Sequence, residues 1–583
     1  MSIEQLITEH LDIWTAADTE KKSGRGRSSG SAGNVYGIKK LRELILELAV
    51  RGKLVPQDDS DEPASELLKR IAAEKAKLVA EGKIKKSKPL AEITDDEKPF
   101  ELPVGWEWSR LGQIGVVSSS SRIHQKDWTD SGIPFYRARE IVILSKLGHV
   151  DNELFITQEL FKTLTNNGII PEHDDLMITG VGTIGVPYIV KKTDKFYFKD
   201  ASVLIFKNHF KLFTGYIYNF LISPYWINKI HSESMGTTVH TLTIVRANEV
   251  LVSIPPIAEQ HRIVAKVDEL MALCDQLENQ HNNAAEAHEK LVTHLLGTLT
   301  QSQNAEDFNT HWQRISEHFD TLFTTEASID ALKQTLLQLA VMGKLVPQDP
   351  NDEPASELLK DIVKTKDQLI KTKKYQKTGK LKQKEFKVNY PESWAVVQTG
   401  EVCPSVVPSR DKPKSFSGDI PWITLPSFPS DGWYLDTSTL DLGLTLEEAS
   451  EYTARIIPES SVLMSCVGRF GLTAINQIPV IPNQQIHAFI IISGLVPEFL
   501  CIVIQAVVKQ MEDMATSTTI PYLNKSNCES IEFGLPPFLE QTRIVAKVDE
   551  LMAACDQLKS QITSANQLQQ KLANVVVENT IYE

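Results

Sequence analysis

Two long segments of this chain each occur twice, and this repetition restricts its architecture more than any other feature of the sequence. Residues 41–71, LRELILELAVRGKLVPQDDSDEPASELLKRI, match residues 332–362, LKQTLLQLAVMGKLVPQDPNDEPASELLKDI, at 22 of 31 positions. Residues 255–280, PPIAEQHRIVAKVDELMALCDQLENQ, match residues 536–561, PPFLEQTRIVAKVDELMAACDQLKSQ, at 20 of 26 positions. The chain is therefore two tandem copies of one unit.

The middle of each copy shares little with its counterpart. Residues 100–254 and 388–535 have in common a Trp after the opening Pro, at Trp106 and Trp394, together with a G-x-x-G sequence and a Thr-Thr pair. We interpret the two Trp side chains as core anchors. Copies whose ends are alike and whose middles differ indicate one scaffold that carries two domains of different specificity.

Each copy ends in a segment with the spacing of a long helix. Apolar residues recur at alternating intervals of four and three from Ile263 and from Ile544, and the spacing continues through Leu291 and Leu572. This coiled-coil pattern predicts helices of about 50 to 60 Å, at about 1.5 Å per residue. Two such seams most simply bury each other, while a helix packed on its own domain has the same spacing and remains the alternative. The predicted seam consists of Ile263, Val267, Leu270, Cys274, Leu277, Ile544, Val548, Leu551, Cys555 and Leu558.

Other repeated segments also predict helices. Residues 38–50 and 329–341 are amphipathic, and a Gly follows each of them. Gly supplies the left-handed residue that closes a helix. Residues 7–12 resemble residues 315–320 and predict a further helix in each copy. The divergent middles contain short apolar runs, such as residues 200–206 and 486–492, between Gly and Pro, and they predict strands and loops with some helix.

Motifs of the common catalytic sites are missing from the sequence. It contains no G-x-x-x-x-G-K-[ST], no G-x-S-x-G and no H-E-x-x-H. Residues 534–538, GLPPF, resemble the (Asn/Asp)-Pro-Pro-aromatic loop of adenine methyltransferases, but Leu535 stands where an amide or carboxylate must accept a hydrogen bond. The E-x-K sequences at Glu81 and Glu385 lack the Pro-Asp dipeptide of the usual nuclease motif. We expect a non-catalytic chain with no metal or cofactor of its own.

Composition favours a reducing, aqueous environment. The six Cys are scattered and include no C-x-x-C pair, and the chain has no run of about 18 apolar residues. Neither a disulfide framework nor a membrane span is therefore expected. The first residues lack the order of a secretory signal. We expect a soluble, cytoplasmic protein.

The net charge hides a strongly uneven distribution. A formal charge of −14 argues at first against a nucleic-acid partner. Residues 69–88, basic arm 1, nevertheless contain eight basic and two acidic residues, and residues 360–387, basic arm 2, contain eleven and three. Such stretches suit contact with phosphates, although a solvated helix or tether has the same composition. The lysines expected to contact phosphates are Lys83, Lys85, Lys86, Lys88, Lys373, Lys374, Lys377 and Lys380.

Polar and basic side chains in the Gly-rich loops of the middles are the candidates for contact with DNA. Arg binds guanine through two hydrogen bonds, and Ser, Thr and backbone amides suit phosphates. For each G-x-x-G, a tight hairpin without DNA contact is the simpler interpretation. The candidates are Ser120, Arg122, Arg137, Arg139, Thr183, Thr237, Thr238 and His240 in the first copy, and Arg410, Thr424, Ser427, Arg469, Thr518, Thr519, Tyr522 and Lys525 in the second.

Two variable middles, together with the repeated (L/I)-P-P-x-x-E-Q-x-R-I-V-x-K-V-D-E-L and (E/Q)-L-A-V-x-G-K-L-V-P-Q-D-x-x-D-E-P-A-S-E-L-L segments, resemble the specificity subunit of type I restriction-modification systems, in particular the type IB branch. The resemblance covers essentially the whole chain. It implies an α+β fold in which two target-recognition domains are joined by two long antiparallel coiled-coil helices in a pseudo-two-fold tandem repeat. The predicted domains are residues 1–37, an N-terminal helix and Gly/Ser linker; 38–99, a conserved helical repeat and basic arm; 100–254, target-recognition domain 1; 255–300, the central coiled-coil helix; 301–387, a second helical repeat and basic arm; 388–535, target-recognition domain 2; and 536–583, the C-terminal coiled-coil helix.

The resemblance also implies partners and a division of labour. Each target-recognition domain reads one half of a split target in double-stranded DNA, and because the two middles differ, the two halves differ. Two modification subunits, adenine-N6 methyltransferases that use S-adenosylmethionine, dock on the conserved helices, and two restriction subunits that need ATP and Mg²⁺ complete the complex. The alternative is a coiled-coil adaptor that assembles protein partners without binding DNA.

Overall fold

Helices and strands recur in the same order in the two halves of the chain, except that helix Ala138–Leu147 has no α-helical counterpart in the described part of the second half. The computed structural model describes residues 3–16, 35–84, 86, 88–167, 169–210, 212–232, 240–372, 375, 378–379, 381, 388–407, 412–515 and 520–582. Its helices are α1 (Ile3–Glu9), α2 (Leu11–Ala16), α3 (Tyr36–Arg51), α4 (Ala64–Ala80), α5 (Leu111–Ile114), α6 (Ala138–Leu147), α7 (Gln158–Asn167), α8 (Thr214–Leu221), α9 (Pro224–Ser232), α10 (Ile244–Glu249), α11 (Ile257–Thr300), α12 (Ala305–Ser316), α13 (Phe319–Leu322), α14 (Glu326–Val341), α15 (Ala355–Lys371), α16 (Thr399–Val402), α17 (Leu446–Glu451), α18 (Pro497–Ala506), α19 (Val508–Met514), α20 (Lys525–Glu529) and α21 (Phe538–Tyr582). Its strands are β1 (Glu107–Arg110), β2 (Val116–Ser118), β3 (Ile133–Tyr136), β4 (Phe155–Ile156), β5 (Leu176–Thr179), β6 (Pro187–Ile189), β7 (Tyr197–Phe198), β8 (Val203–Lys207), β9 (Leu251–Ile254), β10 (Ala395–Gln398), β11 (Ser405–Val406), β12 (Ile420–Ile423), β13 (Gly443–Leu444), β14 (Val462–Ser465), β15 (Thr473–Ile475), β16 (Ile481–Pro482), β17 (Ile486–Phe489) and β18 (Glu532–Leu535).

The repeated segments form helices close to the predicted positions. Gly52 follows α3 with a φ of 71° and donates its N–H to Leu48 O, which closes the helix. The N-terminal repeat is not the single helix that was predicted. It forms two short helices in each copy, α1 with α2 and α12 with α13. In the second copy the break falls at His318, whose φ of −123° and ψ of 25° are not helical.

Each of two compact units contains part of both long helices. Unit 1 extends to Asn283 and includes the chain from Asn566 onward, while unit 2 is Ala284–Ala565. The first part of α11 therefore belongs to unit 1 and its remainder to unit 2, and α21 is divided in the opposite way. The end of each copy's long helix thus belongs to the unit formed by the other copy. The tandem repeat in the sequence did not predict this exchange.

In unit 1, α3 contacts both long helices. Arg42 forms ion pairs with Asp275 at 2.6 Å and with Glu278 at 2.8 Å, both on α11. Tyr36 Oη of α3 donates to Asn574 Oδ1 of α21 at 2.8 Å, and Lys53 Nζ, two residues beyond α3, donates to Ile581 O of α21 at 3.0 Å. The helical core of unit 1 is therefore a bundle that includes α3, and not a pair of long helices alone.

In unit 2, α14 makes the equivalent contacts. Lys333 pairs with Asp556 on α21, as Arg42 does with Asp275. Lys344 Nζ donates to Thr300 O of α11 at 3.0 Å, as Lys53 does to Ile581 O. The duplication in sequence is therefore also a duplication of these contacts.

Burial along α11 follows a straight α-helix and not the predicted heptad. The seam is buried from Ile263 to Cys274, and Leu277 is half-buried. Leu291, predicted to continue the seam, is 48% exposed, whereas Val292 is only 4% exposed. Val292 lies eighteen residues after Cys274, which is five turns at about 3.6 residues per turn. A strict heptad drifts by about 20° per repeat from the face of a straight helix.

The second long helix repeats this pattern. Its seam is buried from Ile544 to Cys555, and Leu558 is half-buried. Leu572 is 43% exposed, and its neighbour Ala573 is fully buried. The ten predicted seam residues are therefore buried or half-buried, whereas Leu291 and Leu572, which continue the heptad, are exposed.

The divergent middles, which we call variable domain 1 (residues 107–254) and variable domain 2 (residues 395–535), share one topology. Each has a four-stranded antiparallel sheet, with the order β2-β8-β5-β6 in the first and β11-β17-β14-β15 in the second. Each also has a three-stranded sheet, β4-β3-β7 or β13-β12-β16, in which the second pair of strands is parallel. The two domains are therefore the same α+β fold with different sequences.

The first and last strands close each variable domain. β1 pairs antiparallel with β9 from Glu107↔Ile254 to Arg110↔Leu251. β10 pairs with β18 in the same way. The chain consequently enters and leaves each domain at the same place, directly before the long helix begins.

All six Cys are unpaired and buried. Burial raises the pKa of the Cys403 and Cys501 thiols to about 12. No helix among the described residues combines the length and the apolar character that a membrane crossing requires.

Candidate nucleic-acid interface

In variable domain 1, several loops meet at one end of the four-stranded sheet. Ala201 N donates to Ser119 Oγ at 3.1 Å, which joins the β7–β8 loop to the loop after β2. Gly180 N in the β5–β6 hairpin donates to Ser202 O, and Leu242 N donates to Gly180 O, both at 2.8 Å. We call this surface loop cluster 1; it consists of residues 119–122, 180–186, 199–202 and 240–242.

Variable domain 2 has an equivalent surface. Cys466 N donates to Gln485 O at 2.8 Å, which joins the β14–β15 hairpin to the β16–β17 loop. Leu523 N donates to Cys466 O at 2.9 Å and brings in the segment before α20. We call this surface loop cluster 2; it consists of residues 466–472, 483–485 and 520–523. The backbone hydrogen bonds that join the hairpin to its two neighbouring segments match in the two clusters, whereas the side chains differ.

The G-x-x-G sequences form the tips of matching hairpins. Gly182 and Gly185 have φ of 77° and 80°, and Gly468 and Gly471 have 79° and 81°. These values favour glycine, and the second Gly of each hairpin also lets an apolar side chain of a neighbouring helix approach closely. The hairpin interpretation of G-x-x-G is therefore correct.

A side-chain hydrogen bond fixes each hairpin from the inside. Thr179 Oγ1 donates to Thr183 O at 2.5 Å, and Ser465 Oγ donates to Arg469 O at 2.5 Å. Thr183 and Arg469 are both exposed and occupy matching positions at the tip. The hairpins thus hold different side chains at one fixed place in the two domains.

Many of the predicted residues lie on these surfaces. Ser120 is at the edge of loop cluster 1, but its Oγ is used internally, since it donates to Phe198 O at 2.7 Å. Lys525 lies just beyond loop cluster 2 in α20, with Nζ 3.6 Å from the Glu529 carboxylate. The predicted residues in the two clusters are Ser120, Arg122, Thr183, His240, Arg469 and Tyr522.

Arg137 and Arg139 adjoin loop cluster 1 and are held by a carboxylate. Lys199 N donates to the carbonyl of the last residue of β3 at 2.8 Å, which places residue 137 next to the β7–β8 loop. Arg137 binds both carboxylate oxygens of buried Glu140, at 2.7 and 3.0 Å, and Arg139 Nε lies 3.1 Å from the same group. Burial raises the pKa of Glu140, but the bonds from Arg137 outweigh burial and lower it.

Thr424 and Ser427 adjoin loop cluster 2 in the same way. Asn483 N donates to Ile423 O at 2.9 Å, so the residues after β12 lie beside the β16–β17 loop. Ser427 Oγ accepts a hydrogen bond from Thr424 N at 3.3 Å, which caps a short helical turn. Several other predicted residues lie outside the described part of the chain: Lys85, Thr237, Thr238, Lys373, Lys374, Lys377, Lys380, Arg410, Thr518 and Thr519.

One loop in each variable domain joins the three-stranded sheet to the four-stranded sheet, and the sequence did not predict it as part of a candidate surface. In variable domain 1 this loop is residues 199–202, Lys-Asp-Ala-Ser, and in variable domain 2 it is residues 483–485, Asn-Gln-Gln. The signal was present in the second domain, because three consecutive amides directly precede the apolar run at residues 486–492. Nothing comparable distinguishes the first.

Among the described residues of each basic arm, a lysine is bonded to the variable domain. Lys75 Nζ donates to Gly112 O at 2.5 Å, and Lys366 Nζ, which is buried, donates to Gly400 O. Burial lowers the pKa of both amines. Lys83, by contrast, is exposed and pairs with Glu81 at 2.8 Å. Lys86 and Lys88 are also exposed.

The two repeated motifs contact each other within each unit. In unit 1, Glu259 is buried at the start of α11 and accepts hydrogen bonds from Gln57 Nε2 at 3.2 Å and Trp106 Nε1 at 3.0 Å. Beside it, Arg262 pairs with Asp61 at 2.6 Å. Trp106 is therefore the predicted core anchor, and it joins variable domain 1 to α11.

In unit 2 the glutamine bond and the ion pair recur. Gln348 Nε2 donates to the buried Glu540 at 2.8 Å, and Arg543 pairs with Asp352 at 2.6 Å. Burial raises the pKa of Glu540, as it does that of Glu259. The sequence identity of the two copies at these positions is thus accounted for by packing.

Comparison with known proteins identifies the family. The model of the type I restriction modification DNA specificity domain matches this chain twice, over residues 103–287 and 391–568. The chain belongs to the type I restriction enzyme specificity subunits. The specificity subunit of EcoAI from Escherichia coli is 38% identical over 100% of both chains, and that of EcoEI, from the same organism, is 37% identical over 99% of both.

A solved chain, from work on complex assembly and conformational transition of the type I R-M system, superposes with a TM-score of 0.49 at 17% identity. The superposition covers 83% of this chain and 99% of that one. Specificity subunits are the non-catalytic members of type I systems. Both matched ranges of this specificity subunit contain a loop cluster and the start of a long helix.

Proposed function

We propose that this specificity subunit binds an asymmetric, bipartite target in double-stranded DNA, with one half bound at loop cluster 1 and the other at loop cluster 2. The observation that carries the proposal is that matching backbone hydrogen bonds hold different side chains at equivalent positions, seen most directly at Thr183 and Arg469. A common frame presents side chains to the same groove in the same way. Different side chains then select different bases, because base edges are distinguished by the hydrogen bonds that they offer.

Phosphate contacts supply the remainder of the affinity in this proposal. Lys83, Lys86 and Lys88 are exposed at the end of basic arm 1. The internal bond of Lys75 holds this arm against variable domain 1, so the lysines are kept near a fixed part of the domain. Lysine contacts with phosphates add affinity that falls with salt and that is independent of sequence.

The protein partners in this proposal are two modification subunits and two restriction subunits. S-adenosylmethionine, ATP and Mg²⁺ belong to those partners. The duplicated helical bundles support two equivalent docking sites, since α3 and α14 make matching contacts with the long helices.

A binding experiment on the assembled complex tests the proposal. The chain is co-expressed with its modification subunit, and the purified complex is titrated with a pool of randomised duplexes at two salt concentrations. We expect recovery of one split sequence with two unlike halves at both concentrations. A complex that assembles but recovers no sequence would support the adaptor alternative.

A further inference from the structure

The β16–β17 loop of variable domain 2, residues 483–485, has a composition unlike that of its counterpart in variable domain 1, and we call it the amide loop. Gln484 and Gln485 are exposed, and Asn483 is half-buried. The matching residues of domain 1 are Lys199 to Ser202. The match is structural, because Lys199 N and Asn483 N make the same bond to the end of the neighbouring parallel strand, at 2.8 and 2.9 Å.

The backbone of the amide loop is held at both ends. Gln485 N donates to Asn483 Oδ1 at 3.0 Å, and Gln485 O accepts from Cys466 N at 2.8 Å. Asn483 O accepts from Ile486 N at 3.2 Å. Asn483 Nδ2 also donates to Gln485 Oε1 at 3.4 Å, a long hydrogen bond at an exposed site. Backbone atoms and the Asn483 side chain therefore fix the position from which the exposed side chains of Gln484 and Gln485 extend.

The amide loop also lies beside the hairpin that carries Arg469. Cys466, to which Gln485 O is bonded, is the residue directly after β14, three residues before Arg469. One exposed guanidinium and two exposed amides therefore share loop cluster 2. In loop cluster 1, the corresponding positions hold Thr183 and the Lys199–Ser202 segment.

We infer that the amide loop of variable domain 2 determines specificity for adenine in the half-site bound by that domain. A Gln side chain donates to N7 and accepts from N6 of adenine through paired hydrogen bonds in the major groove, and no other base offers that combination there. Arg469, on the adjacent hairpin, is the matching group for guanine. The inference rests on the proposed function and adds the base and the residues that select it.

Selection from a randomised duplex pool by the complete complex tests the inference. The double variant Gln484→Ala/Gln485→Ala is expected to lose about tenfold to a hundredfold preference for adenine at one position or at adjacent positions of one half-site. Preference in the other half-site should not change. Ser202→Ala, in the matching loop of domain 1, serves as the control and should leave the affected half-site as it is in the parent.

The single variants Gln484→Glu and Gln485→Glu give a second readout. A carboxylate accepts from cytosine N4 and cannot donate to adenine N7. At the position that contacts the base, the Glu variant is therefore expected to prefer cytosine where the parent prefers adenine. Unchanged base preferences in all three variants overturn the inference, as does a change confined to the other half-site. If the parent complex selects no sequence at all, the proposed function itself is wrong.

Discussion

Thr183 and Arg469 are the residues at which the two domains differ most clearly on a shared frame. Each lies at the tip of a hairpin fixed by an internal hydrogen bond of 2.5 Å. Since the bonded atom is the backbone carbonyl, either side chain can occupy the position while that bond is kept.

Exchange at these positions should therefore alter DNA specificity without altering the fold. Arg469→Thr is expected to weaken discrimination for guanine in one half-site by about 1 to 3 kcal/mol. Thr183→Arg is expected to introduce a new preference in the other half-site. Sequencing of DNA selected by each complex measures both changes. Identical selected sequences for parent and variants would place the hairpin tips away from the bases.

Glu259 is the residue that most directly couples a variable domain to the scaffold. Both of its oxygens accept hydrogen bonds, from Gln57 and from Trp106. In Glu259→Gln, the new NH₂ group faces a donor, which costs about 1 to 3 kcal/mol of the free energy of unfolding. Chemical denaturation of the full chain measures this loss, and Glu540→Gln is the matched variant in unit 2.

The pH dependence of that loss has a definite sign. Burial raises the pKa of Glu259 above its value of 4.5 in the unfolded chain. The folded state therefore holds an extra proton between these two pKa values, and the free energy of unfolding falls as pH rises through that window. The stability advantage of the parent over Glu259→Gln should shrink as pH rises from about 4.5. An advantage that grows with pH would contradict the raised pKa.

Residue chemistry was only partly predictable from the sequence. Arg469 and Thr183 stood out because a Gly-rich hairpin carries them. Gln484 and Gln485 were missed because their importance depends on the bond between Gln485 O and Cys466 N, across 19 residues of chain. Arg137 was a reasonable candidate from its charge, but the sequence did not reveal that Glu140 binds it through both oxygens.

At the scale of the elements, the lysines of a basic arm differ in their surroundings. Lys75 is bonded internally, whereas Lys83, Lys86 and Lys88 are exposed. The sequence alone could not separate these lysines, since the difference arises from the carbonyl of Gly112, which the fold brings to Lys75.

Neutralising the lysines at the end of basic arm 1 should lower the salt dependence of DNA binding. In a variant with Lys83, Lys85, Lys86 and Lys88 changed to Gln, the slope of log K against log salt should fall by about 0.9 for each phosphate that is no longer neutralised. Affinity for all sequences should fall together. Lys75→Ala is the comparison: it should lower thermal stability and leave the slope unchanged. An unchanged slope in the fourfold variant would mean that arm 1 does not contact phosphates.

The long helices allow a direct comparison of two periodicities. Leu270 is 1% exposed and Leu291 is 48% exposed, although both belong to the predicted heptad. Leu270→Ala should cost about 2 to 5 kcal/mol of the free energy of unfolding, and Leu291→Ala less than about 0.5 kcal/mol. Leu551→Ala and Leu572→Ala are the matched pair on α21. Equal losses in the free energy of unfolding for Leu270→Ala and Leu291→Ala would contradict this account and support a continuous heptad seam. The heptad failed because the two parts of each long helix pack in different units, and the sequence does not show where that division falls.

At the scale of the whole molecule, duplication was fully visible in the sequence, and the exchange of helix ends between the units was not. The tandem repeat follows from the repeated segments, and the α+β class was implied by the family resemblance. Ile581 of one copy accepts a hydrogen bond from Lys53 of the other, and the two residues are 528 positions apart in the chain. Such contacts leave no local pattern.

The closure of each variable domain by its first and last strands makes the domain exchangeable. β1 and β9 bring the two ends of domain 1 together, so both junctions of a replacement fall at one place. The replacement must also keep contacts with the scaffold such as those of Trp106 with Glu259, Gly112 with Lys75 and Tyr225 with Glu47. Domain 2 remains untouched by such a replacement. This independence is what the bipartite account requires.

Methylated-adenine mapping across the genome of a host that carries the exchanged subunit is the most direct test. Residues 100–254 are replaced by the corresponding segment of another specificity subunit, and the modification subunit is kept. We predict that one half of the methylated target changes and that the other half stays as in the parent. A change in both halves, or in neither, would contradict the assignment of one half-site to each variable domain.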